Sequence, residues 1–326
     1  MKRIIYILAA AALLLCSCEK EIRFIGQYDG AKLVLYACAN PDTTLSVELH
    51  RSKFILDSSR VSIYDPIRGA TVTGRAGGRE ITFRQEDSER GMYVSDYVPS
   101  VSESIELFAH YDGFNDVSAT TSVPKPADFS IDSYSIRAID VTENGWGRYR
   151  INVRVTLRDD PSERNFYRIA ILRKWYGGWE SDTPLSNDVI FRNNAGDIEA
   201  LAGYIEGDTE VYLEGIIDDS AFGGKARQFE IWIDDWLVAD EILYSSGNGS
   251  GDEAMSEELF DPTRYAVEID TASEEMYKYS KSVAAYNGFD DFGGIFGEPV
   301  SIHNNVIGGI GCFGALTPHI IPLIKE

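Results

Sequence analysis

Between residues 31 and 124 the chain repeats one pattern. Short runs of alternating apolar and polar residues recur about every eight to twelve positions, with turn formers between them. The candidate runs are Lys32–Ala39, Thr44–Leu49, Val61–Tyr64, Ala70–Ala76, Arg79–Arg84, Gly91–Val94, Ser104–Tyr111 and Val117–Val123. A period of two sends successive side chains to opposite faces, so each run can bury one face and wet the other. Gly77-Gly78 between two runs reads as a tight hairpin. Seven or eight such strands predict an immunoglobulin-like β-sandwich, with a small barrel as the open alternative.

Val123-Pro124-Lys125-Pro126 ends this pattern. Proline fixes φ and lacks the N–H a sheet needs, so the segment reads as a boundary. The expected organisation is an immunoglobulin-like domain over 31–124 and a second β-rich domain over 125–326. In the second, Phe129–Ile139, Arg148–Leu157, Asn165–Trp175, Val211–Asp218, Gln228–Ile233 and Tyr265–Thr271 are strand candidates. Ser245–Glu258 is polar and glycine-rich and reads as a loop. One helix is expected at about 273–286. Ser273 fits the N-cap, Glu274 and Glu275 suit the positive end of the dipole, and Met276, Tyr279, Val283 and Tyr286 recur at helical spacing. The fold class is therefore all-β: two sandwich-like domains with one short helix near the C-terminus.

The N-terminus carries a different signal. Lys2 and Arg3 precede an apolar run from Ile4 to Leu15, too short to span a bilayer, followed by Leu15-Cys16-Ser17-Cys18. This is the build of a secretory leader (1–17) ending in a bacterial lipobox, with Cys18 the lipidation site and 18–30 a tether. Acyl chains of the palmitate kind on Cys18 would attach the protein to a membrane, and two or three chains hold far more firmly than one. Glu19 follows Cys18 where aspartate favours inner-membrane retention, which points to the outer membrane.

A formal net charge of −22 repels phosphate backbones and argues against nucleic-acid binding. No H-E-x-x-H, G-x-S-x-G or C-x-x-C occurs, and Gly308-Gly309-Ile310-Gly311 lacks the following helix and lysine of a phosphate cradle. That run is expected to be a strand and turn where backbones approach closely. No enzyme is indicated. Cys38 and Cys312 read as small hydrophobes, with a disulfide between them left open. No cofactor is expected. Should calcium bind, the acidic pairs Asp218-Asp219 and Asp290-Asp291 are the candidates, against a default of solvated turns. Trp175, Tyr176 and Trp179, around Gly177-Gly178, form a candidate ligand platform at a hairpin tip.

The last sixty residues add more. Glu275 to Asn287 reads EMYKYSKSVAAYN, Phe296-Gly297-Glu298-Pro299-Val300 follows, and the chain closes with Asn304-Asn305-Val306-Ile307-Gly308-Gly309-Ile310-Gly311-Cys312-Phe313-Gly314-Ala315. This resembles the ending of the Bacteroidetes lipoprotein family called domain of unknown function 4249. Leu33-Val34-Leu35, Val123-Pro124, Asp160-Pro161 and Asn165-Phe166-Tyr167 agree with it. The resemblance implies an outer-membrane lipoprotein of β-sandwich type, encoded in many cases beside a TonB-dependent receptor as a candidate partner, and it implies no catalytic residue. The functional expectation is a lipid-anchored accessory or binding protein. Two alternatives stay open: a hydrolase of extracellular glycans or peptides using carboxylates of the second domain, and a structural surface protein or adhesin.

Overall fold

The computed structural model describes residues 30–53, 65–86, 90–141, 147–175, 178–192, 211–213, 215–235, 261–292 and 301–324. The leader, Cys18 and the tether, together with the expected strand Val61–Tyr64 and the loop Ser245–Glu258, lie outside the described residues. The chain is mainly β. It forms two sandwiches, each with its own apolar core, and they share one sheet.

The first sandwich is built from β1 (Leu33–Ala39), β2 (Ser46–Arg51), β3 (Thr71–Ala76), β4 (Arg79–Thr82), β5 (Arg84–Gln85), β6 (Met92–Val94), β7 (Ser104–His110) and β8 (Val117–Ser122). These match the alternation in the sequence because that alternation is burial. In β7 Ile105, Leu107 and Ala109 are buried while Ser104, Glu106 and His110 are exposed. Gly77 and Gly78 make the expected tight turn between β3 and β4, at φ +53° and +79°. One sheet runs β4-β3-β7-β8 and faces the β1-β2-β6-β5 part of a ten-stranded sheet.

The second sandwich adds β9 (Asp128–Val141), β10 (Gly147–Arg158), β11 (Phe166–Trp175), β12 (Gly178–Asp182), β13 (Leu185–Ser186), β14 (Val211–Tyr212), β15 (Ile217–Asp218), β16 (Ala226–Asp235) and β17 (Tyr265–Ala272). The single strand expected over Val211–Asp218 is two short pieces, separated by Gly215 at φ +82°. Sheet β14-β13-β16-β10-β9 packs on β11 and β17 through Ile151, Val153, Val155, Phe229, Ile231, Val267 and Ile269. Two tyrosines fasten buried aspartates at opposite ends of this core. Tyr167 donates to Asp159 Oδ1 at 2.9 Å, and Tyr265 donates to Asp235 Oδ2 at 2.8 Å. Arg173 also donates to Asp235, at 3.0 Å, so that carboxylate is met on both oxygens.

β18 (Ile310–Thr317) and β19 (Ile320–Pro322) close the fold, and β18 crosses the boundary expected at Pro124–Pro126. It pairs in parallel with β1, from Val34↔Ile310 to Ala39↔Ala315, and only its end pairs with β17, at Thr271↔Thr317 and Ala272↔Leu316. Val306, Phe313 and Ala315 therefore belong to the first core, although they lie far beyond residue 124. The glycine run makes this possible. Gly311 has φ +130°, and a Cβ there would collide with the Leu35 carbonyl oxygen; one on Gly309 would come within 2.5 Å of the Leu33 oxygen. Asn305 stands in as a further strand partner: it accepts from Phe313 N–H at 2.9 Å and donates to Phe313 O at 2.8 Å.

The long helix spans Glu274–Phe292, further than the expected 273–286. Ser273 Oγ accepts from Met276 N–H at 3.3 Å as an N-cap should, and also from Ala315 N–H at 2.9 Å, which ties the helix start to β18. The expected apolar stripe packs only in part. Met276 and Tyr279 meet the sheet, whereas Tyr286 is exposed; Tyr277, outside the expected stripe, is buried and stacked on Phe166 at 4.4 Å.

Candidate functional site

The outer face of the shared sheet, where the first turns of the long helix cross it, carries a cavity of about 340 Å³ lined by Tyr36, Ala37, Cys38, Ser46, Glu48, Met92, Met276, Tyr279 and Cys312. The strand register explains the floor. Cys312, Tyr36, Glu48 and Met92 are successive cross-strand partners on β18, β1, β2 and β6. They form one row across the sheet on the face opposite Leu33, Leu35 and Phe313, which fill the first core. Cys38 sits one row along, opposite Gly314. Met276 and Tyr279 supply the roof, three residues apart on one helix face.

Gly314 sets the depth. A Cβ at that position would lie 2.8 Å from Met276 Cβ and 2.9 Å from Met276 Cε, so the absent side chain is what lets the methionine descend to the sheet. The Tyr36 and Tyr279 rings are 6.0 Å apart at 55° and bound the cavity on one side. His303 Nε2 donates to Glu275 Oε2 at 2.5 Å, and its backbone N–H donates to Ser282 Oγ at 2.9 Å, so the segment returning to β18 is pinned to the helix.

Electrostatics within the site follow burial. Burial pushes the Cys38 thiol up to about 11 and the Cys312 thiol up to about 12, and the nearby Glu275 carboxylate adds to the second shift. Burial likewise raises the Tyr279 phenol, with Tyr36 adding to it. Both sulfurs are therefore neutral thiols at neutral pH. On the Cys38 side stand Arg168 and Asp270. Arg168 reaches Asp270 and, at 3.4 Å, Glu268. Burial raises both carboxyls against the pull of Arg168. Glu48 is the one carboxylate among the cavity's described lining residues.

The expected site residues fall elsewhere. β11 and β12 form the predicted hairpin, with Trp179 exposed. Register sets position 179 opposite Lys174 and position 175 opposite Gly178, which are opposite faces, so the two tryptophan positions do not share one platform; Tyr176 lies outside the described residues. Asp218 and Asp219 hold a turn. Asp218 accepts from Ser220 N–H at 2.9 Å and from Arg164 at 2.6 Å, and Asp219 accepts from Asn165 N–H at 2.6 Å. Burial opposes ionisation of Asp218, but these donors outweigh it and hold its carboxyl below the usual range; at Asp219 burial wins and the carboxyl is raised. Asp290 and Asp291 fall in the last turns of the long helix, far along the chain from Asp218. Among the described residues no three His, Cys, Asp or Glu side chains gather as a metal site. Cys38 and Cys312 are both free thiols. Cys312 is buried as expected, whereas Cys38 opens to the cavity.

Sequence reasoning named Met276 and Tyr279 only as a packing stripe and passed over Tyr36, Ser46, Glu48 and Met92 as site residues. The available signal was the concentration of sulfur: beyond residue 17 the chain has three cysteines and three methionines, and four of these six line this one cavity.

The described residues thus define a pair of β-sandwiches joined through one sheet, with a helix-roofed cavity on the shared face. The family model for the domain of unknown function DUF4249 matches residues 19–319. The chain belongs to that family. No curated protein matches it.

Proposed function

We propose that this protein is a lipid-anchored binding protein of the outer membrane that holds a small ligand in the cavity under the long helix and works beside a TonB-dependent transporter. The observation that carries the reading is the cavity itself. Its walls come from β1, β2, β6, β18 and the helix, so five separated segments converge on about 340 Å³ of space that the fold leaves open. The leader ending at Cys18 supports the anchor, and the strong negative charge supports a partner other than nucleic acid. Binding is favoured over glycoside cleavage because that chemistry takes two facing carboxyl groups, and the cavity's described lining offers Glu48 alone.

Two measurements test this reading. Cells fed labelled palmitate should label the wild-type chain and leave Cys18→Ala unlabelled and released from membranes. Protein purified from native membranes and examined by native mass spectrometry should carry a bound species that Tyr279→Ala loses. An unlabelled wild-type chain refutes the anchor. A wild-type chain with neither a retained species nor an outer-membrane partner in cross-linking refutes the binding role.

A further inference from the structure

We propose that the cavity holds one thiophilic metal ion of the Cu(I) kind, ligated by Cys38 Sγ, Cys312 Sγ and Met276 Sδ. This inference deepens the binding reading above and rests on it.

The argument starts from the donors. Thiolate and thioether ligands select Cu(I)-like ions, whereas carboxylate and imidazole suit harder ones. The chain's sulfur is not spread evenly: four of the six sulfur residues beyond residue 17 line one cavity, and they arrive on β1, β6, β18 and the helix, so local sequence does not account for their meeting. The register and the helix crossing then set three of them next to Gly314. Cys38 is the cross-strand partner of Gly314, and Cys312 lies two residues before Gly314 on the same face of β18. Above Gly314, in the space its missing Cβ leaves, runs the Met276 side chain, with Cε 2.9 Å from where that Cβ would be. Gly314 thus has Cys38 across the strand pair, Cys312 two residues back on its own face and the Met276 side chain above it. Met92 lies three strands away from Cys312 in the same row, at the far end of the cavity.

The spacing also separates a metal from the competing use of two cysteines. Diagonal neighbours on adjacent strands sit roughly 7–8 Å apart at Cα, beyond the reach of a disulfide without backbone movement. Both cysteines are free. An ion between them bridges a wider gap than a disulfide, since each metal–sulfur bond adds about 2.3 Å. Both cysteines are thiols, so binding proceeds with exchange: two S–H bonds break, two S–metal bonds form, and two protons leave to water, with no change of oxidation state. Harder ligands do not compete. Glu48, the carboxylate of the lining, lies in the Cys312–Tyr36–Glu48–Met92 row with Tyr36 between it and Cys312 and meets His50 at 3.4 Å; Asp270 and Glu268 are engaged with Arg168, and Glu275 pairs with His303.

The test is an anaerobic titration of the full chain in detergent with Cu(I), against a chromophoric Cu(I) chelator. One ion per chain is expected, with a sulfur-only first shell at about 2.3 Å by X-ray absorption. Loss of an outer-shell partner typically costs 10–100-fold in affinity, so Cys38→Ser and Cys312→Ser should each weaken binding by about 100-fold or more, and Met276→Leu by on the order of tenfold. Circular dichroism checks each variant's fold. Cys38 is exposed and Met276→Leu conserves volume, so these two keep the test sharp if Cys312→Ser fails to fold. No retained Cu(I), a nitrogen- or oxygen-rich first shell, or unchanged affinity in folded Cys38→Ser overturns the metal. If Cu(I) fails but a small molecule is recovered with the native protein, the binding reading stands and this inference falls; if neither is found, both fall.

Discussion

Phe313 should be the residue through which the C-terminus stabilises the N-terminal sandwich. It is fully buried on β18, its cross-strand partner is Ala37 on β1, and it packs in the core of Leu33, Leu35, Ile105 and Leu107. Phe313→Ala removes an aromatic side chain whose burial is worth about 1.5–3 kcal/mol, and the cavity left behind raises typical losses to about 3–5 kcal/mol. The upper part of that range applies here. Collapse around the hole needs β18 to move, and Gly309 and Gly311 already lie in backbone contact with Leu33 and Leu35 on β1. Against a total stability of about 5–15 kcal/mol this loss is large enough to open the first sandwich locally. Hydrogen exchange read by mass spectrometry separates the possibilities. Peptides over Leu33–Ala39 and Ser104–His110 should lose protection in the variant, while Gly147–Arg158 and Ala226–Asp235 in the second sandwich should change little, because β17 and β18 share just two residue pairs. A denaturation loss under about 1 kcal/mol, or protection lost mainly from the second sandwich, would refute the assignment of Phe313 to the first core.

Further expectations follow from the same geometry. Gly311→Ala should be poorly tolerated, since φ +130° and the Leu35 carbonyl both exclude a Cβ; thermal melting should fall well below that of Gly78→Ala, where the space is open and only the φ of +79° is strained. Tyr265→Phe leaves one oxygen of buried Asp235 without its phenolic donor and should cost about 1–3 kcal/mol in urea denaturation. Asp218 has its carboxyl held below the usual range, so its contribution is complete above the unfolded value near 3.9 and is lost as pH falls through the folded value; melting temperatures below about pH 4 should drop more steeply for wild type than for Asp218→Asn. With thiols raised to about 11 and 12, alkylation at pH 8 should be slow, with Cys38 modified before buried Cys312 and both becoming fast in denaturant; equal fast rates in the folded protein would contradict the described cavity.

The strands were legible because half-burial writes itself into neighbouring residues. Ile105, Leu107 and Ala109 alternate with exposed partners, and Gly77-Gly78 declares its turn without reference to anything distant. The helix was legible for the same reason, through Ser273 and the two glutamates after it. The pairing of β1 with β18 was not. Parallel strands joined by a connection of this length leave no local mark, and both are apolar enough to belong to either core. The acidic pairs misdirected attention for an equally physical cause. Asp218 and Asp219 look like ligands in a string of letters, yet in three dimensions their oxygens are taken by Ser220, Arg164 and Asn165.

The cavity inherits its illegibility from that long-range pairing. Tyr36 and Cys38 come from the first strand, Cys312 from the penultimate one, and Met276 from a helix whose start is fixed by Ser273 on Ala315. None of these residues has a site-like neighbour in sequence, and the sheet register alone sets Cys38 beside Gly314 and Gly314 beneath Met276. The site and the junction of the two sandwiches are consequently the same piece of structure. Displacing β18 removes Phe313 from a core and Cys312 from a cavity wall in one step. A change that loosens the first sandwich at Phe313 should therefore also weaken whatever the cavity holds, while an equal destabilisation at Ile231 or Val153 in the second core should not. Comparing ligand retention in Phe313→Leu with that in Ile231→Val separates a site built on the strand pairing from one that merely lies near it.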